Sequence, residues 1–61
     1  MKFKLEMRVD NAAFGDSEEE RALEVAAILS SLHQKLEYDP GRKAFVLVDT
    51  NGNIVGKAEF K

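Results

Sequence analysis

The sequence holds no cysteine and no tryptophan, and only one proline and one histidine among 61 residues. Without cysteine there is no disulfide, no thiolate metal site, no redox pair and no cysteine nucleophile, and a reducing, cytoplasmic location is the natural expectation. No stretch approaches the roughly 18 apolar residues of a membrane span. The amino terminus, Met1-Lys2-Phe3-Lys4-Leu5-Glu6, alternates charge with apolar groups where a signal peptide would be continuously apolar. Neither secretion nor a membrane partner is expected. Charge of one sign is also lacking, since 9 basic groups face 11 acidic ones. Disorder is excluded by 44% apolar residues beside 33% charged ones.

What is present describes one domain, residues 1–61. Seven of the apolar residues are alanines, so the core is thin. A chain of this length buries only roughly 60% of the surface it exposes when unfolded, and with disulfides excluded, association with a partner is the staple to look for.

From Lys2 to Val9, apolar Phe3, Leu5, Met7 and Val9 alternate with charged Lys2, Lys4, Glu6 and Arg8, the period-two pattern of a half-buried strand. Asp10-Asn11-Ala12-Ala13-Phe14-Gly15 breaks the alternation, with Phe14 placed to plug one end of the core. Ser17 followed by Glu20 is a capping box, and Glu18 and Glu19 add negative charge where the helix dipole is positive. A helix therefore starts here. Its apolar stripe runs Ala22, Val25, Ala26, Leu29, Leu32 and Leu36, widened by Leu23 and Ile28, and it should end near Glu37, ahead of Asp39-Pro40-Gly41.

Ala44-Phe45-Val46-Leu47-Val48 and Ile54 to Lys61 flank Asp49-Thr50-Asn51-Gly52-Asn53 and predict a β-hairpin. Asn51-Gly52 suits a two-residue turn, whereas Asp49 with Gly52 three places on suits a type I turn with a glycine bulge. The first register puts Phe45 and Leu47 on a face with Ile54 and Phe60. The second gives that face to Ala44, Val46 and Val48, and both remain open. The expected fold is α+β, in the order β-α-β-β, a three-stranded sheet with one helix on one face. Whether the first strand neighbours the second or the third is equally open.

No constellation supports catalysis, and the chain is read as a non-enzyme without metal or cofactor. Asp49-Thr50-Asn51-Gly52-Asn53 resembles the start of a calcium loop, but such a loop needs glycine sixth and glutamate twelfth, where Gly52 stands fourth and Phe60 twelfth. His33 has Glu37 four residues on and nothing else to make a catalytic or metal site. Ser30 and Ser31 have no base, and Glu18, Glu19, Glu20 and Glu24 form a helix-start cluster rather than carboxylates set across a cleft. None of Gly15, Gly41, Gly52 and Gly56 lies in a phosphate-cradling loop. Gly56 marks a bulge or a close approach by the helix.

Charge is segregated along the chain. Residues 1–9 carry Lys2, Lys4 and Arg8 against Glu6, residues 42–61 carry Arg42, Lys43, Lys57 and Lys61 against Asp49 and Glu59, and the eight acids of residues 10–41 face only Arg21 and Lys35. A mildly basic open sheet face and an acidic outer helix face follow. Residues 44–48 are apolar on both sides, so one helix leaves some of them uncovered. Phe45, Val46, Val48, Val55 and Lys57 are the candidate interface, for a homodimer or for a heterologous protein. The alternative partner is single-stranded nucleic acid, bound by the basic face with Phe45 as the stacking ring of the second register.

Asp10-Asn11-Ala12-Ala13-Phe14, the helix centre Ala26-Ala27-Ile28-Leu29 and Asp49-Thr50-Asn51-Gly52-Asn53-Ile54-Val55-Gly56 carry a resemblance. Over most of its length the chain is similar to small, functionally uncharacterised proteins encoded by bacteria and their phages. The resemblance implies a compact intracellular domain with no catalytic residues to carry across, an accessory protein that acts by binding a host or phage component.

Overall fold

The computed structural model describes residues 1–61. Strand β1 (Phe3–Met7) leads through a 3₁₀ turn (Ala12–Phe14) into helix α1 (Glu18–Tyr38), followed by strands β2 (Ala44–Val48) and β3 (Ile54–Phe60). The sheet is antiparallel throughout, in the order β1-β3-β2, so the last strand of the chain is the central one. Gly56 makes this order possible: a Cβ there would fall on the carbonyl group of Glu6, so β1 reaches β3 only because the side chain is absent. The close approach at Gly56 is thus made by β1 rather than by the helix.

Local chemistry sets both ends of α1. The Ser17 hydroxyl accepts from the Glu20 amide and donates to the Glu20 carboxylate, both at 3.1 Å, so Ser17 caps the helix while the carboxylate meets the Ser17 hydroxyl and not the Ser17 amide of the full capping box. At the other end the Asp39 amide still reaches the Lys35 carbonyl at 2.9 Å before Pro40 stops the helix. The helix lies closest to β2 and to the 3₁₀ turn. Ile28 and Leu32 are buried, Val25 and Leu36 half-buried, while Ala22, Ala26 and Leu29 are exposed and Leu23 faces outward. The packed stripe is therefore narrower than the sequence pattern, and centred on Ile28 and Leu32, because the helix sits to the β2 side of the sheet.

The hairpin takes its turn from the second sequence alternative and the inward Phe45 and Leu47 from the first, while Ile54, expected beside them, lies on the open face opposite Val48. Gly52 donates to the Asp49 carbonyl at 3.0 Å with φ at 85°, and Asp49 donates to the Asn53 carbonyl at 2.9 Å, as in the type I turn with a glycine bulge. Alone, that turn would carry Ala44, Val46 and Val48 to the helix side. The ladder slips once more, however: Val48 pairs with Ile54 but Leu47 pairs with Gly56, so Val55 is an extra residue. This second bulge restores the parity, and Phe45 faces Ala58 beneath the helix. Phe14, Ile28, Leu32, Phe45, Leu47, Val55 and Ala58 form the core. Phe14 and Phe45 are the fully buried large side chains, each contributing roughly 1.5–3 kcal/mol by removal from water.

Candidate interaction surface

The side of the sheet away from the helix is built in columns. β1 presents Lys4 and Glu6, flanked by Lys2 and Arg8; β3 presents Lys57 and Glu59, followed by Lys61; β2 presents Ala44, Val46 and Val48, with Ile54 opposite Val48. Lys4 stands across from Glu59 and Glu6 from Lys57, an alternating lattice with five cations against two carboxylates. Glu59 lies within 3.7 Å of Lys57 and 3.6 Å of Lys61. Beside this lattice, Val46 is 43%, Val48 40% and Ile54 64% exposed, an aliphatic column at the β2 edge. Between column and lattice lies a shallow depression of about 480 Å³, bordered by Arg8, Val46, Ile54 and Lys57.

Three of the five candidate interface residues, Val46, Val48 and Lys57, lie on this face. Phe45 and Val55 do not: they are 1% and 3% exposed under the helix, because the Val55 bulge turns both inward. The Arg42 guanidinium covers the Phe45 ring at 5.4 Å. The basic face consequently carries no aromatic ring, which removes the stacking platform that the nucleic-acid alternative required.

Sequence patterning missed a second apolar surface. Strand spacing of about 4.8 Å makes three strands wider than one helix of about 10 Å can roof when it sits over β2. The helix-side row of β1 is left partly open, with Phe3 at 44% and Leu5 at 38%, joined by Phe60 at 36%. The Phe3 and Phe60 rings lie 4.8 Å apart in a tilted arrangement. Counting strands against helices could have exposed this shortfall; the perfect alternation of β1 concealed it.

Several of the polar groups singled out in the sequence, His33, Glu24 and Asp49 among them, have structural partners. His33 and Glu37 meet at 2.9 Å on the exposed helix surface. Glu24 accepts from the Thr50 amide at 2.8 Å and from its hydroxyl at 2.7 Å, tying the hairpin tip to the helix. Asp49 is buried and accepts from Asn11 Nδ2 at 2.7 Å, from the amides of Asn51 and Asn53 at 2.9 Å each, and from Asn53 Nδ2 at 3.4 Å. Burial pushes this carboxyl up, but the bonds from Asn53, Asn11 and Asn51 together outweigh it and hold it below its ordinary value. The Asp49 oxygens of the calcium-like loop accept from amides, and no three His, Asp or Glu side chains converge as a metal site. Asn11 and Asp49 belong to the two turn motifs of the sequence, which the fold joins directly.

No protein-family model, curated protein or solved structure matches the chain.

Proposed function

We propose that the protein is a small non-catalytic protein-binding domain, that the open sheet face is its contact surface, and that a second copy of the chain is its first partner there. The observation that carries this reading is the aliphatic column Val46, Val48 and Ile54, exposed beside a charged lattice that forms a polar rim. Two copies related by a two-fold axis through the column would bury the aliphatic groups and leave the cationic groups in solvent. The test is sedimentation of wild type and Val46→Lys over a hundredfold concentration range. Wild type is expected above the 6.8 kDa of one chain, and Val46→Lys at lower mass with its helical circular dichroism retained. An unchanged mass in the folded variant would place the contact elsewhere.

A further inference from the structure

We propose that β1 is a self-association edge, pairing antiparallel with β1 of a second copy about a two-fold axis at Leu5. This contact uses a different surface from the open-face reading and stands or falls separately. Of the two sheet edges, β2 is obstructed. The Arg42 Nε donates to the Ala44 carbonyl at 2.8 Å, and Ser31 and Lys35 of the helix flank Val46 and Val48. β1 has no comparable cover.

Hydrogen-bond parity suits the pairing. Lys2 exchanges both backbone bonds with Lys61, and Arg8 donates to Val55, so the even residues of β1 face β3. The N–H and C=O groups of Phe3, Leu5 and Met7 therefore point outward, and an antiparallel copy centred on Leu5 meets them with Met7, Leu5 and Phe3.

The side chains match in the same register. On the helix side Leu5 meets Leu5 and Phe3 meets Met7, which extends the half-exposed Phe3, Leu5 and Phe60 row into a shared apolar strip. On the opposite side Lys4 meets Glu6 and Glu6 meets Lys4, so the charges of the strand complement themselves. Lys2 would oppose Arg8 beyond the ends, which limits the ladder to Phe3–Met7. Surface area agrees with a missing partner. A folded chain of 6.8 kDa should expose about 3,950 Å². This one exposes 4610 Å², and the excess approaches the roughly 800 Å² that each partner gives to an ordinary interface.

The experiment is sedimentation of wild type, Leu5→Lys and Val46→Lys, with circular dichroism on each. Leu5→Lys sets two cations face to face on the axis and is expected to halve the mass in both the wild-type and the Val46→Lys backgrounds. A folded Leu5→Lys that keeps the wild-type mass, or a wild type that is monomeric throughout, overturns the proposal. A loss of mass in Val46→Lys alone would support the open-face contact and not this one. Should Leu5→Lys fail to fold, Glu6→Lys and Lys4→Glu in the Val46→Lys background replace it. Each repels itself and should be monomeric alone, while an equimolar mixture should recover the dimer; a mixture that stays monomeric overturns the pairing.

Discussion

Asp49 joins two separate pieces of chain through one carboxylate: the entry to the 3₁₀ turn through Asn11, and its own hairpin loop through Asn51 and Asn53. Its folded carboxyl lies below the ordinary value of 3.8, so the folded state binds fewer protons than the unfolded one as pH approaches that value. The stability it contributes is complete above the unfolded pKa and is lost as pH falls through the lower folded pKa. Asp49→Asn keeps the shape but turns an N–H₂ toward groups that are themselves donors. It is expected to lower the melting temperature at neutral pH more than Asn51→Ala does. Its melting temperature should also fall less steeply than that of wild type on acidification from about pH 6 to pH 2. An unaltered acid slope would show that another carboxylate sets it. The sequence showed the turn residues here but not their meeting, because Asn11 and Asp49 are 38 residues apart and only the tertiary fold brings them together.

The elements differ in how far they could be read from the sequence. Helix α1 was legible at both ends, since Ser17 with Glu20 and Asp39 with Pro40 act within a few residues of the ends they set. Strand β1 was legible from strict alternation. The hairpin itself was legible but its register was not, because two successive bulges cancel: the glycine-bulge turn alone would carry Phe45 away from the helix, and the extra residue Val55 returns it to the core. The candidate surface inherited that ambiguity, which is why Val46, Val48 and Lys57 lie on the open face while Phe45 and Val55 lie under the helix. Gly56 bears on both ladders of β3, opposite Met7 on one side and Leu47 on the other. Gly56→Ala would drive a methyl group into the Glu6 carbonyl, a backbone group that yields only if β1 moves. A cost of ~1–3 kcal/mol is expected, read as a lower denaturation midpoint. Gly41→Ala, which meets open space, should stay within about 0.5 kcal/mol of wild type. Equal effects at the two sites would remove the close approach of β1 as the reason for glycine at position 56.

At the scale of the whole molecule, charge is sorted by layer. Lys2, Lys4, Arg8, Lys57 and Lys61 lie on the open sheet face, whereas Glu18, Glu19, Glu20 and Glu37 lie on the exposed surface of the helix layer. Five cations on one face would favour polyanions, yet Glu6 and Glu59 interrupt it, its neighbour is an aliphatic column, and the rings of Phe45, Phe3 and Phe60 all lie on the helix side. Phosphate attraction without stacking gives binding that depends steeply on salt, since each neutralised phosphate returns a counterion to solution. A labelled oligothymidylate is therefore expected to raise fluorescence anisotropy only at low ionic strength, and to be released by about 0.15 M salt. Val46→Lys, which adds a cation to the same face, should strengthen this low-salt binding while weakening any open-face self-association. Those opposite responses separate the two uses of the surface. An oligonucleotide complex that survives physiological salt and is weakened by Lys57→Glu would make the lattice, rather than the aliphatic column, the working part of the face.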